Sequence, residues 1–203
     1  MSPRNELVST GTWPEFRAAK KAKQDLTVEL MITGDAYDAT SLAEAVKEGK
    51  LTAVEVVTAF CKHAAVGHQL CNMLTEIMFA DAIEKAKKLD AIFMHTRKLI
   101  GSLHGLLQIA GVVFIAKTNV FQTMSAAERH NNGLGRTKNL VNSRLTCGGS
   151  SSGEGASQAF RCSVLGIGTD VRGCIRMPAA ANAVFGYKPP PNDRIFILGL
   201  AEQ

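Results

Sequence analysis

Two glycine-rich loops contain the residues with the clearest capacity for chemistry. The first reads CGGSSSGEG over residues 147–155, and its paired glycines, serines and following helix start present hydroxyls and backbone amides together. Such a loop suits either anion binding or the activation of a nucleophile. The second reads GTDVRGCIRMPAA over residues 168–180, where Thr169 and Asp170 precede Cys174. Consecutive amides there can surround a developing oxyanion, so the two loops together indicate more than either does alone.

The cysteines and histidines follow no metal-binding pattern. The cysteine count is odd, no C-x-x-C pair occurs, and the spacing of His63 and His68 suits no zinc site. The sequence also contains neither a Walker A loop nor a G-x-G-x-x-G fingerprint, so we predict no metal and no cofactor. Reduced thiols are typical of the cytoplasm, which is the predicted location. The cysteines are Cys61, Cys71, Cys147, Cys162 and Cys174.

The positive charge of the chain is concentrated on predicted helix faces. The formal net charge is +5 and the pI is about 9.0. The lysines cluster at residues 20–23 and 84–88, where helical spacing predicts solvated faces without any nucleic-acid-binding motif. We therefore predict no nucleic-acid partner. The longest apolar run, residues 109–116, is too short to cross a bilayer, so no membrane span is predicted either.

Helix signals precede both loops. Ser41–Glu44 and Thr52–Glu55 fit the S/T-x-x-E capping box, and Gly49 separates the two helices that they predict. The second helix is expected over about residues 53–66, and a third over about residues 79–89. Both have apolar stripes that predict core positions. The stripe residues are Val56, Val57, Phe60, Ala64, Phe79, Ile83, Ala86 and Leu89.

Short β-branched runs follow the helices. Residues 112–116 and 162–167 are each bounded by turn residues and predict two buried strands of a sheet. Helices followed by such strands favour an α/β fold built as a single domain. Within it we distinguish an N-terminal arm over residues 1–39, a helical region over residues 40–98 and an α/β portion over residues 99–203.

Longer stretches of the sequence resemble the amidase signature family, whose members hydrolyse carboxamides. The resemblance rests first on CGGSSSGEGA followed by GIGTDVRGCIRMPAAANAVFGYKPP. The stretch ITGDAYDATSLAEAVKEGKLTAVEVVTAFCKHAA, and then GSLHGLL, AKTNVFQT and HNNGLGRTKN, are similar to the acetamidase branch. About residues 32–190 are covered. The resemblance implies a partial amidase-signature fold, with a mixed sheet flanked by helices and a helical N-terminal region, that acts on a small-molecule amide.

The resemblance also implies roles for individual residues. The family uses a nucleophilic serine, a bridging serine on a cis peptide and a neutral lysine as the base. Ser150, with Ser151 beside it, takes the bridging position, and Cys174 takes the place of the nucleophile. The oxyanion hole is expected from amides of the nucleophile loop, which Thr169, Asp170 and Arg176 support. Those amides belong to Val171, Arg172, Gly173 and Cys174.

Three departures from the family pattern predict low or no activity. Cys174 replaces serine, and a thiol has its own pKa and a larger attacking atom. Arg172 and Ser152 replace glycines, and an arginine is strained wherever the glycine uses a positive φ. The base lysine of the family follows L-H-G, but here Leu103-His104-Gly105 runs directly into a later family segment. The later Lys117 matches the family's K-T-N and not its base.

We therefore predict an internally deleted and C-terminally truncated member of the family with a degenerate Ser-Ser-Lys triad. Two alternatives remain open: a non-catalytic module that binds amides, and a gene fragment that does not fold alone. A rescuing Cys-His pair requires a histidine near Cys174, whereas His63 is expected to be structural because it lies near the apolar face of the second helix. The sequence does not predict the substrate or the oligomeric state.

Overall fold

The computed structural model describes residues 29, 32–34, 36–96, 113–120, 130–131, 135–190 and 197–199. Most of the predicted N-terminal arm lies outside the described residues, including the lysines at 20–23. The L-H-G segment, at residues 103–105, also lies outside them.

Helix α1 spans Ala39–Lys47 and begins earlier than predicted. Its capping box is formed by Asp38 and Ser41: the Asp38 carboxylate accepts the Ser41 N–H (2.7 Å), and the Ser41 hydroxyl accepts the Asp38 N–H (2.9 Å). The predicted box over Ser41–Glu44 is therefore wrong, because Ser41 is the third residue of the helix and not its cap. The predicted break at Gly49 is confirmed, since Gly49 has a left-handed φ of 72°.

The second helix, α2, spans Ala53–Cys71 and begins with the capping box predicted at Thr52–Glu55. The Asp90 carboxylate accepts two further amides of its first turn, those of Ala53 (2.8 Å) and Val54 (3.0 Å). The helix runs past the predicted end at Val66 and stops at Asn72, whose φ of 53° is left-handed. The third helix, α3, spans Phe79–Thr96 and is likewise longer than predicted.

Replacing Thr52 with alanine is expected to lower the free energy of unfolding by about 1 kcal/mol. The loss arises because the Glu55 amide, which now donates to the Thr52 hydroxyl (3.1 Å), has no side-chain acceptor in the variant. Thermal unfolding should show a decrease in Tm of about 2–4 °C. Thr58→Ala is the matched control within α2, where alanine is the better helix former. Equal effects of the two substitutions would contradict this role of Thr52.

The described strands form three small antiparallel sheets. β1 (Leu74–Ile77) pairs with β2 (Ala116–Thr118), and β3 (His130–Asn131) pairs with β4 (Gly135–Arg136). The third sheet has the order β5-β7-β6. Its strands are β5 (Leu165–Ile167), β6 (Phe185–Tyr187) and β7 (Ile197–Gly199).

The two strands predicted from β-branched runs are shorter and less buried than expected. The run at 162–167 becomes a strand only from Leu165, because the Cys162 N–H still donates to the Ser157 carbonyl (3.0 Å) as the preceding helix ends. The run at 112–116 pairs only from Ala116, and the Ile115 carbonyl instead accepts the Met78 N–H (3.0 Å). Ile167 is exposed, so the prediction of a fully buried strand is wrong there.

Helix α2 lies at the centre of the hydrophobic core, as its apolar stripe predicted. All four predicted stripe residues of α2 are buried, and of the four in α3 two are buried and two are packed against the core. His63 lies against Phe160 with a ring separation of 4.8 Å, and burial lowers the pKa of its imidazole. The side chain of His63 therefore packs as a structural histidine.

Candidate active site

The two glycine-rich loops meet in the structure. The Ser151 N–H donates to the Cys174 carbonyl oxygen (3.2 Å), and Ser150 follows a cis peptide bond with Gly149. The Ser150 side chain is buried, and Ser150 is the main group that lowers the pKa of the Cys174 thiol. The loops that contain the proposed bridging serine and the proposed nucleophile are thus held together.

Helix α4 (Ser152–Ala159) holds the first loop against β2. The Gly153 N–H donates to the Asn119 carbonyl (2.9 Å), and the Asn119 N–H donates to the Met73 carbonyl (2.7 Å). A Cβ atom at Gly153 would lie only 2.6 Å from the Met73 carbonyl oxygen, so the helix approaches the neighbouring backbone without an intervening side chain. This contact sets the position of Ser150 relative to the hydrophobic core.

Helix α5 (Arg176–Ala181), which begins two residues after Cys174, is also tied to the first loop. The Asn182 side-chain amide donates to the carbonyl oxygens of Cys147 (3.0 Å) and Pro178 (2.9 Å). Pro178 is tolerated because it lies in the first turn, where its missing N–H has no helical acceptor. The positions of the bridging serine and the nucleophile are therefore coupled through α5.

Cys174 is in an environment that favours its thiolate. Hydrogen bonds from the Ser150 hydroxyl and the Ser150 N–H are the main causes that lower the pKa of the Cys174 thiol, and they outweigh the opposing effect of burial. The amides of Arg172 and Val171 add smaller contributions in the same direction. Cys174 is partly exposed, whereas the other four cysteines are buried. A partly exposed thiol with a lowered pKa is the form of cysteine that reacts as a nucleophile.

Asp170 organises the nucleophile loop. Its buried carboxylate accepts the Gly173 N–H (2.7 Å), the Arg176 Nε–H (3.0 Å) and the Arg176 Nη2–H (3.1 Å). The Arg176 guanidinium is the main cause that holds the pKa of Asp170 well below its usual range. The Gly173 amide is therefore engaged by Asp170, whereas the amides of Val171 and Arg172 are among the groups that lower the pKa of the Cys174 thiol. Thr169 lies in the same loop with its side chain exposed.

Two of the departures from the family pattern fit the local backbone. Arg172 does not have a positive φ; the residue that does is Gly173, at 111°. The strain expected at Arg172 is therefore absent. Ser152 is buried at the start of α4, and its hydroxyl donates to the Asn119 carbonyl (3.4 Å). The serine thus gains an acceptor in a tightly packed position.

The side chains of Lys117, His63 and His68 have partners other than Cys174. Lys117 Nζ lies 2.6 Å from Glu76 Oε2 on the exposed face of β1 and β2. His68 Nδ1 accepts the Leu74 N–H (3.1 Å), and His63 packs against Phe160. None of these three is among the groups that influence the pKa of Cys174.

Sequence reasoning assigned no role to two residues that support the site. The backbone N–H and C=O groups of Asn119 join Met73, next to β1, to Gly153 in α4. Lys188 Nζ lies 3.4 Å from the Val171 carbonyl oxygen. Both belong to quoted family stretches, AKTNVFQT and FGYKPP. Asn119 is one of several polar residues in its stretch and Lys188 is the single charged residue of its own, so neither stretch by itself indicated a supporting role.

A separate cleft of about 970 Å³ lies between α3, β2 and β5. Glu154 lines it, and burial raises the pKa of this carboxyl despite hydrogen bonds from Thr118 and Gln158. Neither Ser150 nor Cys174 lines the cleft. Its other lining residues include Leu74, Met78, Val113, Ser157 and Leu165.

Three further observations concern the described residues only. None of their helices is both long and apolar enough to cross a bilayer. No group of three or more histidine, cysteine, aspartate or glutamate side chains among them is arranged to hold a metal ion. All five cysteines are free thiols.

Comparison with known proteins agrees with the fold and the loops. The family model described as Amidase matches residues 101–192. The chain belongs to the amidase signature family, and the mixed helix and strand architecture predicted from the sequence is confirmed. The structure is similar to fatty acid amide hydrolase, with a TM-score of 0.78 and 32% identity over 85% of this chain and 36% of that one.

Curated relatives give the same result at the level of sequence. An acetamidase of Aspergillus oryzae is 38% identical, with 79% of this chain and 36% of the relative covered. An amidase of Gibberella moniliformis is also 38% identical, with 81% of this chain and 38% of the relative covered. The chain therefore spans little more than a third of the length of the relatives it matches.

Proposed function

We propose that this chain is an impaired carboxamide hydrolase in which Cys174 attacks the amide carbonyl. The observation that carries the proposal is the meeting of the two loops, where the Ser151 N–H donates to the Cys174 carbonyl oxygen (3.2 Å), together with the lowered pKa of the Cys174 thiol. In this proposal the chain is a single incomplete amidase-signature domain, and its substrate is a small-molecule amide. The free state of all five thiols supports a cytoplasmic location.

The proposed reaction has two stages. The Cys174 thiolate adds to the carbonyl carbon, and the electron pair of the C=O bond moves to oxygen, where the amides of Val171 and Arg172 stabilise the negative charge. Collapse of this intermediate breaks the C–N bond, and the nitrogen leaves as ammonia or an amine after taking a proton through Ser150. Water then hydrolyses the thioester, which yields the carboxylate and restores the thiol.

Turnover is proposed to be low because the sequence lacks the lysine-bearing stretch that follows L-H-G in the family. The alignment with the acetamidase is 197 residues long. This is longer than the part of this chain that takes part in it, which is 79% of 203 residues. The relative thus has residues inside the aligned region without a counterpart here, which supports the proposed internal deletion. Loss of one member of a catalytic triad costs roughly 10⁴- to 10⁶-fold in kcat. A thiolate offsets part of this loss because it forms near neutral pH without a strong base.

Ammonia release from short aliphatic and aromatic amides tests the proposal, with the chain compared with Cys174→Ala and Cys174→Ser. We expect slow release by the chain and none by either variant, because a serine hydroxyl without the lysine is not deprotonated. Faster release by the serine variant would show that another group serves as the base. Absence of release by all three would reject the hydrolase, and saturable amide binding would then favour the non-catalytic module.

A further inference from the structure

The peptide between Val171 and Arg172 is exposed and gains little from packing. The Val171 side chain is 83% exposed, and Arg172 is also exposed. Asp170 holds the amides on the far side of this peptide, those of Gly173, Ile175 and Arg176. The orientation of the 171–172 peptide must therefore be set by a contact of its own.

Lys188 supplies that contact from the segment after β6. Its Nζ donates to the Val171 carbonyl oxygen (3.4 Å) and lies 3.5 Å from Asp170 Oδ1. The Lys188 side chain is 35% exposed, whereas the Asp170 side chain is completely buried. The ammonium thus contacts both the carboxylate that organises the loop and the Val171 carbonyl, which a carboxylate cannot bind because both groups are acceptors.

The geometry of the peptide unit links this carbonyl to Cys174. The 171–172 peptide is trans, so its C=O and N–H groups point in opposite directions. Lys188 holds the carbonyl side, and the Arg172 amide on the other side is one of the groups that lower the pKa of the Cys174 thiol. We propose that Lys188 is a positioning residue that keeps the Arg172 N–H aimed at the nucleophile and at the oxyanion formed there. This inference rests on the proposed role of Cys174.

Lys188 can act on Cys174 in two ways that a salt titration separates. A cation close to the loop also attracts a thiolate through space, and salt screens that attraction, with a Debye length of about 3 Å at 1 M. An oriented N–H acts through a direct hydrogen bond and is much less sensitive to salt. The positioning role therefore predicts an effect that persists at high ionic strength.

The test is the pH dependence of Cys174 alkylation by iodoacetamide, a neutral reagent, followed by peptide mass mapping of the full chain in 1 M KCl. In Lys188→Met we expect the apparent pKa of the thiol to rise by about one unit, and the rate at pH 7 to fall about threefold, because the lost thiolate is partly offset by its greater intrinsic nucleophilicity. Lys188→Arg should restore the wild-type profile. Lys88→Met, on the exposed face of α3, is the matched control.

An unchanged profile in Lys188→Met would overturn the proposal, as would a shift that occurs at low salt and disappears in 1 M KCl. If Lys188→Met lost cooperative unfolding, it would be replaced by Lys188→Leu, which also lacks an N–H donor, and the same two outcomes would decide. The readout does not depend on amide turnover. Failure of the hydrolase proposal and failure of the Lys188 proposal are therefore separate results.

Discussion

Asp170→Asn is expected to lower Tm by roughly 6–12 °C, which corresponds to about 3 kcal/mol of unfolding free energy. The buried carboxylate accepts five hydrogen bonds, from the backbone of Gly173, Ile175 and Arg176 and from two nitrogens of the Arg176 guanidinium. An asparagine amide would direct its own N–H groups at one set of these donors. At least two donors then lose their acceptor, while the solvent-exposed part of Arg176 limits the cost.

The pH dependence of the Tm of the same variant distinguishes loss of the negative charge from loss of the hydrogen-bond geometry. Because the folded-state pKa of Asp170 is lowered, its contribution to stability is present above the usual value of 3.8 and is lost as the pH falls through the folded-state pKa. The difference in Tm between the two proteins should therefore be largest near neutral pH and shrink below about pH 4. Asp81→Asn, an exposed substitution on α3, is the control. A difference that stays constant down to pH 2 would exclude the ionised carboxylate as its source.

Gly153→Ala is expected to lower the free energy of unfolding by about 2 kcal/mol, although alanine normally favours a helix over glycine. The added methyl group would lie 2.6 Å from the Met73 carbonyl oxygen and 2.7 Å from the Asn119 carbonyl oxygen. These are backbone atoms of the residues next to the paired strands β1 and β2, so the helix itself must shift. The shift would also move Ser150, and alkylation of Cys174 at pH 7 should slow in parallel with the decrease in Tm.

The same substitution elsewhere provides the control. In Gly67→Ala, within α2, the methyl group would meet the Phe160 ring edge (2.6 Å) and the end of the Met73 side chain, both of which can move. We expect a smaller loss of stability there and no change in Cys174 alkylation. If Gly67→Ala slowed alkylation as strongly as Gly153→Ala, the direct link between α4 and β2 would not be what positions Ser150.

Much of the helical framework could be predicted from the sequence, because capping and periodicity are local. The Thr52–Glu55 box and the apolar stripe of α2 needed only neighbouring residues. The first helix was misplaced because Asp38-Ala39-Thr40-Ser41 is also a capping sequence, and the competition between two overlapping boxes depends on where the chain enters the helix. The extension of α2 beyond Val66 depends on packing around Gly67, which is not local.

The resemblance suggested the site residues but not the residues that support them. The effect of Ser150 on the pKa of the Cys174 thiol agrees with the roles that the family implies, and those roles are predictions. Asn119 and Lys188 lie 31 residues before Ser150 and 14 after Cys174. Their contributions arise from backbone carbonyls and a long side chain that only the folded structure brings into range. Residue type alone carries no information on such contacts.

The placement of the candidate site along the chain has a kinetic consequence. Both loops, the helix between them and Lys188 fall within residues 147–188, and the contacts of Asp170 with Gly173, Ile175 and Arg176 join residues only 3–6 positions apart. Closing such short loops costs little chain entropy, and local contacts form quickly during folding. The nucleophile loop can therefore open and re-form while α2 and α3 stay packed, and its recovery is set by a local step rather than by refolding of the whole chain.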